Sequence, residues 1–173
     1  MTCRSVTPRS TVSRCGSGTC SFPTSPRRPP SFARVLKPGG RLCSSVWAGP
    51  GENPWTTIAM QAIAAEAVLA QPGPDGPGMF RCAAPRYVSV LYRAAGLREV
   101  AEWDVGVELV IDSPVQYWEM ISEHVSLAVA ALKQVGEPTR ERIAEAVIAR
   151  ASTYEEDGTV RIPGVARCII GTK

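Results

Sequence analysis

The sequence is poor in the residues that most often carry chemistry. Histidine occurs once in 173 residues, as His124, and aromatics make up 6% of the chain. An imidazole-rich metal centre, or a choice of catalytic histidines, is thereby excluded. Six cysteines are present, but Cys15 and Cys20 form a C-x4-C pair with only Cys3 upstream and no histidine nearby. A structural zinc site needs four Cys or His ligands at short recurrent spacings, so no metal is expected. Cys43, Cys82 and Cys168 stand in apolar surroundings and read as small buried hydrophobes. No stretch approaches the roughly 20 consecutive apolar residues of a membrane-spanning helix. The N-terminus also lacks the apolar core of about 7–15 residues that marks a secretory signal. A cytoplasmic protein without a membrane partner is the expectation.

Acidic residues are absent from the first part of the chain. No Asp or Glu precedes Glu52, and residues 1–33 contain five arginines (Arg4, Arg9, Arg14, Arg27, Arg28) with no lysine. The remaining fourteen basic residues share 34–173 with all sixteen acidic ones, so the basic balance belongs to the leader. Residues 1–31 are built almost wholly from Ser, Thr, Pro, Arg, Gly and Cys, without a hydrophobic period. Such a segment buries too little apolar area to offset its ordering entropy, and a disordered leader is expected. Two other readings stand beside a plain tail: a basic arm for an anionic surface, or out-of-frame translation joined to the true frame near Phe32. No aromatics are interleaved with the arginines and no known module surrounds them, so nucleic acid is not expected as a partner.

From Phe32 onward the pattern is that of a folded α/β domain, residues 32–173. Phe32 to Leu36 reads as the last turn of a helix, stopped by Lys37-Pro38-Gly39-Gly40. A short buried strand follows over 41–47, then a Gly/Pro-rich turn over 48–54 and a helix over 55–70 with Ile58, Ala62, Ile63 and Leu69 on one side. The loop 71–78 carries three Pro and three Gly. A helix is predicted over 85–95 with Val88, Leu91, Tyr92 and Ala95 in phase and Gly96 as its stop. A strand is predicted over 97–111, with Gly106 marking a bend. Ser113-Pro114-Val115-Gln116 is a helix start with a Ser cap and Pro at the first position. Helical patterns continue over 126–135 and 139–154, Glu155-Glu156-Asp157 reads as a solvated helix end, and a final strand covers 165–170 after Arg161-Ile162-Pro163-Gly164.

Several of these segments, in this order, resemble class I S-adenosylmethionine-dependent methyltransferases of the ubiquinone/menaquinone-biosynthesis-like group. Arg34-Val35-Leu36-Lys37-Pro38-Gly39-Gly40-Arg41-Leu42 is similar to the motif before that family's fifth strand. Val46-Trp47-Ala48-Gly49-Pro50 with Asn53-Pro54-Trp55 is similar to the segment after it. Ala94-Ala95-Gly96-Leu97-Arg98-Glu99-Val100 resembles the junction into the sixth strand, Ser113-Pro114 with Tyr117-Trp118 the start of a helical insertion, and Arg161-Ile162-Pro163-Gly164 the approach to the seventh strand.

The resemblance implies a partial Rossmann-like fold: strands five to seven with flanking helices, and a helical lid over 114–157. It implies S-adenosylmethionine as cofactor and a small molecule as methyl acceptor. The family's sheet order is 3-2-1-4-5-7-6, and its cofactor lies beyond the carboxyl ends of the first, second and fourth strands. Those strands have no counterpart here. Gly16-Ser17-Gly18 follows no apolar strand and opens no helical pattern, and no carboxylate is available before Glu52 to hold a ribose. A truncated, inactive form is therefore expected, with cofactor binding by this chain doubtful. A non-catalytic interaction module, self-associating through the strand edge left bare by the missing fourth strand or through the lid helices, is the alternative.

Methyl transfer needs in-line alignment and, for a protonated acceptor, a base. On the lid, His124 beside Glu123 is the one candidate base; its other reading is a partly exposed helix residue. Trp47, Asn53, Trp55, Tyr117 and Trp118 are candidates to line an acceptor pocket; the aromatics equally suit packing of the lid onto the sheet, and Asn53-Pro54 a helix cap.

Overall fold

The computed structural model describes residues 13–14, 36–68 and 78–173. The predicted helix end at 32–35, the proline-rich loop over 71–77 and all of the leader except Ser13–Arg14 lie outside these residues.

Among the described residues the chain is mixed α/β, with five α-helices and an open, mostly antiparallel sheet. In chain order the elements are β1 (Ser13–Arg14), β2 (Arg41–Trp47), α1 (Pro54–Glu66), α2 (Tyr87–Ala94), β3 (Arg98–Ile111), α3 (Pro114–His124), α4 (Ser126–Leu132), α5 (Glu137–Ser152), β4 (Glu155–Glu156) and β5 (Thr159–Thr172). The strand order is β1-β2-β5-β3, with β4 paired to β5. β1 runs parallel to β2, whereas β5 runs antiparallel to both β2 and β4. The β2 edge expected to be bare thus carries a two-residue pairing, Ser13 opposite Leu42 and Arg14 opposite Cys43.

Two compact units divide the chain, the breaks among the described residues falling at 48/49, 105/106 and 165/166. The described part of the first holds 36–48, 78–105 and 166–173 together with β1; the second holds 49–68 and 106–165. In the first unit, β2 alternates, with Leu42, Ser44 and Val46 buried and the intervening residues more exposed. That buried face joins Val88 and Tyr92, one turn apart on α2, with Leu36, Cys82, Leu97 and Ile169. The Tyr92 hydroxyl donates to Ser44 Oγ at 2.8 Å, which satisfies both groups inside the core.

The second unit is helical with a strand. Ile143, Val147 and Ala151 repeat every four residues on α5, and Tyr117 and Ile121 do so on α3. They pack with Ala59, Ala62 and Ile63 of α1, with Ala128, Ala131 and Leu132 of α4, and with Val160 and Ile162 of β5. α3 starts as its sequence dictates: Ser113 Oγ accepts from the Gln116 backbone N–H at 3.1 Å, and Gln116 Oε1 accepts from the Asp112 N–H at 3.0 Å.

Three local expectations are corrected. Glu155–Glu156 is a strand rather than a frayed helix end: Glu155 faces Val160 and Glu156 faces Thr159 across a two-residue loop. Asp157 and Gly158 both take positive φ (49° and 76°), the conformation of a type I′ hairpin turn that Asp-Gly favours. Arg161 to Gly164 is not a connection but the first half of β5, in which Val160, Ile162 and Gly164 are buried and then Arg167, Ile169 and Gly171. The buried positions change from even to odd numbers at 165–166, where the strand passes from the second unit into the first. α1 also ends earlier than its pattern suggested, at Glu66.

Candidate functional site

Of the residues singled out on sequence grounds, Asn53, Trp55 and Tyr117 come together in the second unit. The single turn Pro50–Glu52 and the Pro54 start of α1 place Asn53 at the cap position, with φ −130° and ψ 62°. Its side chain makes no cap bond. It reaches β5 instead: Asn53 Nδ2 donates to the Val165 carbonyl at 3.2 Å, and the Val165 N–H donates to Asn53 Oδ1 at 3.1 Å. The amide thus copies the two bonds that a neighbouring strand residue would make. Its second N–H donates to the Gly49 carbonyl at 3.1 Å, and Oδ1 also accepts from Trp55 Nε1 at 3.0 Å. Two donors and two acceptor positions are the whole capacity of a primary amide, and all four are engaged. Asn53 is fully buried, so its chemistry is that of an anchor between the turn after β2 and β5.

Gly164 makes this arrangement possible. A Cβ at that position would stand 2.8 Å from Trp55 Cδ1 and 2.9 Å from Asn53 Oδ1, closer than real Cβ atoms come. Tyr117, fully buried on α3, donates its hydroxyl to the Trp55 carbonyl at 2.8 Å. Burial pushes the Tyr117 phenol well above its usual range, since the phenolate would lose hydration; a backbone hydrogen bond at Ala59 opposes this and nearby Tyr154 adds to it. A phenol in that state is a hydrogen-bond donor and not a base. Trp118 is half-buried against the apolar core of the same unit. His124 is exposed at the last residue of α3, next to the exposed Glu123. Trp47 is half-buried at the end of β2 and belongs to the first unit.

A charged cluster lies in the first unit, around a residue that the sequence did not mark. Arg167 on β5 is 7% exposed. Its Nε and Nη2 donate to the two oxygens of Asp104 at 2.7 and 2.9 Å, a bidentate pair, and its Nη1 donates to the Ala83 carbonyl at 2.8 Å. Glu102 Oε1 is 3.6 Å from Arg167 Nε and accepts from the Arg86 backbone N–H at 2.8 Å. Its other oxygen accepts from Ser89 Oγ. Arg86 takes a left-handed φ of 65°, and the Glu102 carboxylate meets its N–H there, at the start of α2. The guanidinium holds the Asp104 carboxyl below the ordinary carboxylate range, chiefly by hydrogen bonding and further by its charge, with burial opposing.

Ser89 and Arg167 are buried, whereas the Asp104 carboxylate at the edge of the cluster is 44% exposed. The cluster ties β5, β3, the 83–86 turn and α2 together. The one legible signal was the alternation of β3, which puts Glu102 and Asp104 two residues apart and so on one side of a strand. Nothing local marks Arg167 as their partner, 63 residues later. No family model matches the chain, and no curated protein matches it.

Proposed function

We propose that the chain is the part, from the fifth strand onward, of a class I methyltransferase acting on a small molecule with S-adenosylmethionine as methyl donor, and that it does not transfer methyl groups by itself. The strand order carries this reading. In the family's sheet the fifth strand is followed by the reversed seventh and then by the sixth. β2, β5 and β3 adopt that order, with β5 antiparallel to β2. The parallel pairing of β1 on the other side of β2 is also of the kind the family's fourth strand makes. The run of similar motifs from Arg34 to Gly164 supports it independently.

The described residues do not fit the cofactor. Glu52, the first carboxylate of the chain, accepts from the Gly49 N–H at 2.9 Å, within its own turn. Asp104 and Glu102 are tied to Arg167, Ser89 and Arg86. None of these is presented to a ribose by a Gly-rich strand-to-helix turn. His124 stands exposed at the end of α3.

A second reading, a non-catalytic interaction module, is favoured by β3: it is an outer strand of 14 residues, none of them buried, with Trp103 and Val110 45% and 50% exposed. Calorimetric titration of the folded chain with S-adenosylhomocysteine tests the main proposal. It predicts no saturable heat; saturable binding at micromolar concentration would mean that the chain has a cofactor site and would overturn the claim of inactivity. Concentration-dependent association of the same sample in sedimentation would support the second reading.

A further inference from the structure

The two units carry opposite charge. Over residues 36–48, 78–105 and 166–173, the first unit has eight Lys or Arg against three Asp or Glu, a net +5. Over 49–68 and 106–165, the second has five against twelve, a net −7. A body of one sign repels its own kind and attracts the other. Every copy of the chain carries both.

Some of these charges flank exposed apolar residues. On α2, Val90 is 58% exposed, with exposed Arg86 at the cap position four residues before it and exposed Arg93 three residues after it. Arg93 Nη2 also donates to the Val100 carbonyl at 3.3 Å. On α3, Val115 is 51% exposed, with exposed Asp112 three residues before it, just ahead of the Ser113 cap, and exposed Glu119 four residues after it. Residues three and four apart along a helix share a face. The two stripes have the same spacing read in opposite directions, and opposite charge. Laid antiparallel, they set Arg86 against Glu119, Val90 against Val115 and Arg93 against Asp112, at intervals of about 6 and 4.5 Å along the axis.

We infer that α2 of one copy docks on α3 of a second copy through these stripes. The valines leave water at the centre, and the ion pairs at the rim set orientation and register. Pairing α2 with α2 would oppose arginines, and pairing α3 with α3 would oppose carboxylates, so like stripes reject each other. The two patches differ, and the contact is therefore heterologous. It is separate from the β3 edge.

Sedimentation velocity of the full chain should show concentration-dependent association at about 0.01 M salt. Association should be lost at about 1 M, as the screening length falls from roughly 30 to 3 Å. Two charge-reversed chains locate the contact: Arg86→Glu with Arg93→Glu, and Asp112→Lys with Glu119→Lys. Each alone should stay monomeric where the unsubstituted chain associates. An equimolar mixture should associate again, because the basic α2 of the second chain meets the acidic α3 of the first. The Arg86 N–H meets the Glu102 carboxylate, so Arg93→Glu mixed with Asp112→Lys gives the same readout without touching the cap of α2. A chain that is monomeric in low salt, or mixtures that stay monomeric, would overturn the inference. So would undiminished association of either reversed chain, which is the behaviour expected of pairing through the β3 edge.

Discussion

Each unit holds a long-range buried polar anchor of a different kind. In the second, Asn53 and Tyr117 are neutral and hold backbone carbonyls and an N–H, with Trp55 Nε1 as a further partner. In the first, Arg167 is charged and sits against two carboxylates. A buried neutral amide that meets its full hydrogen-bonding capacity fixes one backbone geometry at modest desolvation cost. A buried guanidinium fixes geometry too, but its stability depends on every partner remaining in place, because an uncompensated charge in a low dielectric is costly.

The comparison is sharpest when one member is removed. Arg167→Met should destabilise the chain by about 3–5 kcal/mol, the range for breaking a buried ion pair, because Glu102 is left with its charge and without its cation. Denaturant unfolding followed by circular dichroism measures it, and a loss near zero would mean that the pair is replaceable by packing. Asn53→Ala should cost roughly 2–3 kcal/mol, since the Val165 N–H and carbonyl lose their partner together. Hydrogen exchange at Val165 is the local readout, and it should accelerate more than exchange at Ile169.

Gly164→Ala perturbs the same place by crowding and should cost about 1–3 kcal/mol; a shift in Trp55 fluorescence should accompany it. Ser113→Ala should cost about 1 kcal/mol by removing the cap of α3, in the unit without the buried charge.

The smallest effect distinguishes the units by pH. The Asp104 carboxyl is held below its unfolded value, so its contribution to stability is complete above about pH 4 and is lost as pH falls through the lower, folded value. Asp104→Asn should flatten the acid limb of the stability profile. Because Asp104 is 44% exposed, the change should be slight. An unchanged acid limb would mean that Asp104 titrates as an isolated side chain.

Much of the fold was legible because local physics fixes it. Strand β2 falls where alternation and the preceding Pro-Gly-Gly put it, and α3 starts where Ser113-Pro114 puts it. The hairpin at Asp157-Gly158 is equally written in the sequence, as an Asp-Gly turn pair behind a run of carboxylates that also suits a solvated helix end. The first half of β5 was obscured by Pro163 and Gly164, which read as loop residues. Pro163 is exposed, and Gly164 is required by the approach of Trp55.

The Asn53–Val165 bonds and the Arg167 cluster were not legible, because each joins segments 63 to 112 residues apart whose pairing depends on the sheet. Of the five proposed pocket residues, Asn53 and Tyr117 are interior to the second unit, Trp55 and Trp118 pack on its core, and Trp47 ends β2 in the first unit.

The family reading stands or falls on the strand order, and nuclear Overhauser contacts between backbone protons of the labelled chain test it most directly. The account predicts antiparallel cross-strand contacts that pair Cys43 with Ile170 and Ser45 with Cys168, together with contacts from β5 to β3 on its other side. Contacts placing β3 directly beside β2, or a parallel β2–β5 register, would contradict it.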